Sequence, residues 1–161
     1  MHDQPPPIAQ RRKASWVWAG AVVLVLLMWA GAFALRGGGE KVVLTGWQDG
    51  LDAGRAKAAE LDRPMIVFFT SGRCGPCQVF KREVLLQPEV AGVLVDRFVP
   101  VQIDVTDNSP RNPYVQVASQ YGVSRVPTLL ALTAEGEKID GFPTWGATPE
   151  RFIAWLDEIE R

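Results

Sequence analysis

Beyond residue 41 the chain alternates between short apolar runs and stretches whose apolar positions recur every three to four residues, the periods of strand and amphipathic helix. Met65-Ile66-Val67-Phe68-Phe69, bounded by Pro64 and Gly72, predicts a buried strand. Val42-Val43-Leu44 predicts a short first strand. Residues 49–61 predict a helix that stops at Asp62-Arg63-Pro64, because the residue before proline avoids helical geometry. Residues 76–86 predict a second helix, which Pro88 interrupts before 89–95 resume as a short one. Residues 98–105 alternate as a strand, with Pro100 near an edge or at its start. The composition of 108–113 marks a loop, and 114–121 a helix with Gly122 as its C-terminal cap. Residues 128–133 and 138–141 predict two strands joined by a turn at 134–137. Thr148 and Pro149 open a last helix, with Phe152, Trp155, Leu156 and Ile159 as its buried stripe. The order β-α-β-α-β-α-β-β-α is an α/β pattern, a mixed sheet flanked by helices.

The N-terminal part has a different texture. Residues 14–35 carry no charge, and a helix over them spans about 33 Å, enough for a hydrocarbon core of about 30 Å. Trp16 and Trp18 mark one end and Trp29 and Phe33 the other, at headgroup level. Arg11, Arg12 and Lys13 precede the segment while Arg36 and Lys41 follow it, a bias that places the N-terminus in the cytoplasm and exports the rest. The competing reading is a cleaved signal peptide ending near Ala32-Phe33-Ala34, which exports the rest equally. The predicted organisation is therefore a disordered tail over 1–13, a single transmembrane anchor or signal peptide over 14–35, a glycine-rich linker over 36–41, and one domain over 42–161.

Net charge −1 and the lack of a basic stripe interleaved with aromatics argue against nucleic-acid binding. Cysteine occurs twice, in Cys74-Gly75-Pro76-Cys77, between the apolar strand and the helix after it. Two cysteines three positions apart across a helix start lie on one face, close enough to bond without moving the backbone. The loop such a bond closes is too small to staple a fold, so a reversible dithiol is the stronger reading. A structural zinc site asks for four ligands, and there is no second cysteine pair and no histidine besides His2 in the tail, so no metal is expected.

Cys74-Gly75-Pro76-Cys77 after an apolar strand, then Val126-Pro127-Thr128 and a strand hairpin closing on a last helix, resembles the thioredoxin family over residues 42–161. Lys57-Ala58 ahead of Arg63-Pro64-Met65, the break Gln87-Pro88-Glu89-Val90 and Asp104-Val105-Thr106-Asp107-Asn108 look most like the C-terminal extracytoplasmic domain of transmembrane thiol:disulfide interchange proteins. The resemblance implies a thioredoxin-like fold, a cis bond before Pro127, and a substrate-binding edge at Val126, Pro127 and Thr128. Two residues depart from the family pattern. Arg73 stands where a tryptophan usually precedes the first cysteine, and Phe68 where a buried aspartate usually moves a proton at the second.

Within that frame Cys74 is the expected nucleophile, its thiolate favoured by the helix N-terminus and by Arg73 if that side chain turns inward. Cys77, one turn further in, is the expected resolving thiol, and Gly75-Pro76 sets the width of the loop. The dipeptide lacks a thiolate-stabilising histidine and resembles reducing thioredoxins, near −270 mV. The resulting expectation is a monomeric, membrane-anchored periplasmic reductase of protein disulfides, fed by a thiol–disulfide electron donor that can itself be membrane-embedded, with no cofactor beyond the Cys74–Cys77 pair. The alternatives are an oxidase or isomerase of exported proteins and a non-catalytic binding module.

Overall fold

The computed structural model describes residues 20–28 and 44–160. The chain divides into two compact units, Met1–Glu40 and Lys41–Arg161. In the first, residues 20–28 form helix α1 with exposed side chains. The tail over 1–13, the linker over 36–41 and most of the predicted span over 14–35 lie outside the described residues. Among the described residues no helix is long and apolar enough to cross a membrane.

The second unit is a five-stranded mixed sheet with helices on both faces. Its elements run β1 (Gln48–Asp49), α2 (Leu51–Leu61), β2 (Met65–Thr70), α3 (Gly75–Phe80), a π-helical turn (Lys81–Leu85), α4 (Pro88–Arg97), β3 (Val99–Asp104), α5 (Pro113–Gln120), β4 (Thr128–Leu132), β5 (Lys138–Phe142) and α6 (Pro149–Ile159). The strand order is β1-β3-β2-β4-β5. β3 lies parallel to β1 and β2, whereas β4 is antiparallel to both β2 and β5.

The apolar run 65–69 occupies the centre because a strand flanked on both edges and both faces has no polar position to spare: every residue of β2 is buried. Its side chains alternate between two cores. Ile66 and Phe68 join Cys77, Phe80, Phe152 and Leu156 on one face, and Met65, Val67 and Phe69 join Leu51, Val101 and Ile103 on the other. Pro100 sits second in β3. The Val99 N–H bonds to the Pro64 carbonyl, so the nitrogen of Pro100 faces the other edge, where β1 begins pairing only at Val101.

Two elements differ from the sequence expectation. The first strand is Gln48–Asp49; of the predicted 42–44, Leu44 is buried outside any strand and the other two lie outside the described residues. A two-residue edge strand needs only the ladder of β3, and carries no apolar run to announce it. The helix predicted over 76–86 is continuous, but its second half is a π turn in which the Leu86 N–H reaches the Lys81 carbonyl at 2.9 Å. Thr148 caps α6 through its hydroxyl, which accepts from the Arg151 N–H, and Phe152, Trp155 and Leu156 are buried along it.

Candidate active site at the start of the cysteine-bearing helix

β2 ends at Thr70, and the turn after it is held from both sides. The Thr106 hydroxyl accepts from the Gly72 N–H at 2.6 Å and itself donates to the Asp104 carboxylate, while the Cys74 N–H bonds to the Ser71 carbonyl. This delivers Cys74 to the N-cap of α3 in an extended conformation, with proline in the first turn. A sulfur therefore takes the place of the usual capping oxygen, accepting from the Cys77 N–H at 3.1 Å. That N–H points at the Cys74 sulfur from within the first turn of the helix.

Cys74 and Cys77 form a disulfide, with sulfurs 2.10 Å and Cα atoms 5.2 Å apart. The two sulfurs are not equivalent. Cys74 is half-buried, whereas Cys77 has no exposed surface and belongs to the core cluster of Phe68 and Phe80. Gly75 and Pro76 are exposed between them.

Across from Cys74 runs the segment before β4. The Val126–Pro127 peptide bond is cis, and the Cys74 sulfur lies 3.8 Å from the Val126 carbonyl oxygen. Thr128 donates to the Arg125 carbonyl and Thr144 to the Pro127 carbonyl, which pins the segment at both ends. Val126 thus stands beside Cys74, and Pro127 and Thr128 follow it into β4. With Val79, Pro76 and Trp145, Val126 and Pro127 line a groove of about 1090 Å³. Trp145 is 92% exposed at its rim.

Arg73 does not turn inward. Its guanidinium donates to the Thr106 carbonyl at 2.7 Å and ties the cysteine loop to the loop after β3. Two residues near the site were not singled out in the sequence. Trp145 stands in the loop before α6, with no motif or period to mark it. Lys81, four residues after Cys77, is only 5% exposed, with its ammonium nitrogen 5.9 Å from the centroid of the Phe68 ring. Desolvation lowers its pKa below the ordinary 10.5, against the opposing pull of Asp104. Its spacing from Cys77, one helical turn on the same face, was the available signal.

The chain matches the thioredoxin-like family over residues 46–134. It is 31% identical over 100 residues to thioredoxin 1 of Synechococcus elongatus, covering 62% of this chain and 82% of that protein. Thioredoxin 1 of a Nostoc strain is 33% identical over the same length and coverage. Among solved structures, a thioredoxin from Thermus thermophilus superposes with TM-score 0.60 at 24% identity, over 71% of this chain and 88% of that one. The oxidised C-terminal domain of Neisseria meningitidis DsbD gives 0.56 at 24%, over 66% and 90%. With a bonded Cys-Gly-Pro-Cys pair at the head of a helix, a cis-proline segment facing it, and sequence relatives that are themselves thioredoxins, the chain belongs to the thioredoxin-like family of thiol–disulfide oxidoreductases.

Proposed function

We propose that this chain is a membrane-anchored reductase of protein disulfides outside the cytoplasm, working through Cys74 and Cys77 without a further cofactor. The difference in exposure of the two sulfurs carries the reading. Only a thiolate attacks a disulfide, and only Cys74 has surface from which to do so. Cys74 attacks the substrate and Cys77 resolves the mixed disulfide. An extended substrate segment lies beside Val126, Pro127 and Thr128, pairing with the backbone in the manner of an added strand.

The reducing direction rests on Gly75-Pro76. The pair supplies no charge to the Cys74 thiolate, and Arg73 is engaged with the Thr106 carbonyl instead. Stabilising the reduced form by about 1.4 kcal/mol raises the potential by only about 30 mV, so one N–H bond to sulfur does not turn a reductant into an oxidant near −120 mV. The anchor rests on the uncharged stretch 14–35, and the exposed Val22, Leu24, Leu26 and Leu27 of α1 are the surface that lipid would cover. An electron donor on the same side of the membrane then recharges the pair.

Equilibrating the full-length chain in detergent with glutathione buffers tests the direction. The expected potential is closer to −270 than to −120 mV. A chain that stays reduced in a mildly oxidising mixture is an oxidase or isomerase instead. A reporter that fluoresces only in the cytoplasm, fused after Arg161, should be dark; a bright fusion overturns the topology.

A further inference from the structure

Resolution of the mixed disulfide needs Cys77 as a thiolate, yet Cys77 is fully buried, so bulk water does not take its proton directly. A group near it must. The strand beneath offers none: Phe68, on the face of β2 that meets Cys77, is an aromatic. Among the described residues, Lys81 is the only charged side chain in the interior.

We propose that Lys81 is the proton acceptor for Cys77, an inference that rests on the dithiol chemistry proposed above. Cys77 and Lys81 are one helical turn apart, and the Lys81 N–H bonds to the Cys77 carbonyl, so the two side chains leave the helix toward the same side of the sheet. The ammonium nitrogen lies over the ring of Phe68, which belongs to the same core cluster as Cys77. A second observation concerns the same face of β2. Thr70, two residues on from Phe68 and on the same face of β2, has a fully buried hydroxyl with no hydrogen-bond partner. A water bound to this hydroxyl would have a polar anchor from which to carry a proton between the thiol and the amine.

The step balances. The Cys77 S–H bond breaks and its proton passes to the Lys81 amine. The thiolate attacks the Cys74 sulfur, the Cys74–Cys77 bond forms, and the bond from Cys74 to the substrate breaks, releasing the substrate sulfur as a thiolate. The cysteines are oxidised by two electrons and the substrate disulfide is reduced to two thiols. Lys81 returns its proton through a cavity of about 380 Å³ lined by Lys81, Gln78, Gln102, Asp104 and Trp47.

Burial favours the neutral amine that this role needs. The titratable groups around it are Asp104 of β3, Asp49 of β1 and Tyr114 of α5, all on the cavity wall. α4 and α6 also pack against the π turn, but their charged residues are exposed, apart from Arg97, which pairs with Asp157 and Glu160. Arg82 and Glu83 on the turn itself face solvent.

The test is single-turnover reaction of the reduced full-length chain with the aromatic disulfide 5,5′-dithiobis(2-nitrobenzoate). The first coloured thiolate reports attack by Cys74 and the second reports resolution by Cys77. In Lys81→Met the rate of the second release relative to the first falls by roughly 10²-fold. Lys81→Arg falls as far, because a guanidinium does not accept a proton in this pH range. An unchanged ratio in Lys81→Met overturns the proposal, as does recovery by Lys81→Arg, which would make a fixed positive charge sufficient. A measurement on the wild type covers variants that do not fold: in ¹⁵N-lysine NMR the Lys81 amine must titrate below 10.5, at the pH where the second release levels off. An amine still protonated through that bend overturns it too. If the wild type releases no thiolate at all, the dithiol reading fails; if it releases both and the Lys81 variants match it, only the role of Lys81 does.

Discussion

Trp155 donates its indole N–H to the Asp140 carboxylate at 2.8 Å, joining α6 to the edge strand β5 across the packed rings of Phe142 and Phe152. That bond, followed by one from the Gly141 backbone, holds the Asp140 carboxyl below the usual carboxylate range. A carboxylate with a lowered folded-state pKa stabilises the fold fully above its unfolded value of about 3.9, and the contribution is lost as the pH falls through the lowered one. Asp140→Asn should therefore lower the melting temperature at pH 7, and the gap to wild type should close as the pH falls through that lowered value. Thermal melts across pH measure it. A gap that persists unchanged at pH 2 would mean that the charge of Asp140 contributes nothing.

The order of attack is tested by trapping. Cys77→Ser should accumulate mixed disulfides through Cys74, visible on non-reducing gels, because the resolving thiol is gone while the accessible one remains. Cys74→Ser should trap little, since Cys77 has no exposed surface. The opposite pattern would reverse the roles.

Two glycines in helices should respond to alanine with opposite signs. A Cβ on Gly54 of α2 would come within 2.4 Å of a methyl of Val101, a stiff β-branched side chain in the second core. Overpacking of about 1 to 3 kcal/mol then outweighs a gain in helix propensity of about 1 kcal/mol, and Gly54→Ala destabilises. A Cβ on Gly92 of α4 meets nothing within 4 Å, so Gly92→Ala should stabilise by about 0.5 to 1 kcal/mol. Urea unfolding of the two variants decides; equal effects would mean that the contact at Gly54 relaxes freely.

Trp145 is exposed and contributes little to the core, so Trp145→Ala should change stability by no more than about 0.5 kcal/mol. Its place on the groove wall beside Pro127 predicts a different loss. The apparent KM for a protein disulfide should rise roughly tenfold, as when an aromatic anchor leaves an interface, with kcat nearly constant. A KM equal to wild type would take the groove rim out of substrate binding.

Much of this architecture is legible in the residues themselves. The run 65–69 marks the central strand because burial on both faces removes all polar alternation, and Thr148-Pro149 marks α6 because capping chemistry is local. Cys74-Gly75-Pro76-Cys77 marks the site for the same reason: spacing and helix start are short-range facts. The direction of the Arg73 side chain was not legible, because its partner, the Thr106 carbonyl, is a backbone atom thirty-three residues away. Neither was β1, whose pairing with Val101 and Gln102 depends on β3 rather than on its own sequence. Lys81 was hidden by a default: lysines are placed outside, and only the packed helix shows this one within.

The π turn at Lys81–Leu85 gives the cysteine-bearing helix two angular frames. One residue beyond the α repeat turns everything downstream by about 100° relative to everything upstream. Up to its first residue, Cys77 and Lys81 share the inward face; further along it, the neighbours Val84 and Leu85 are both buried. Deleting exposed Glu83 would leave every buried side chain in the chain, yet rotate the redox half against the half that packs on α4 and α6. This helix therefore tolerates changes of identity along its exposed stripe far better than any change of length.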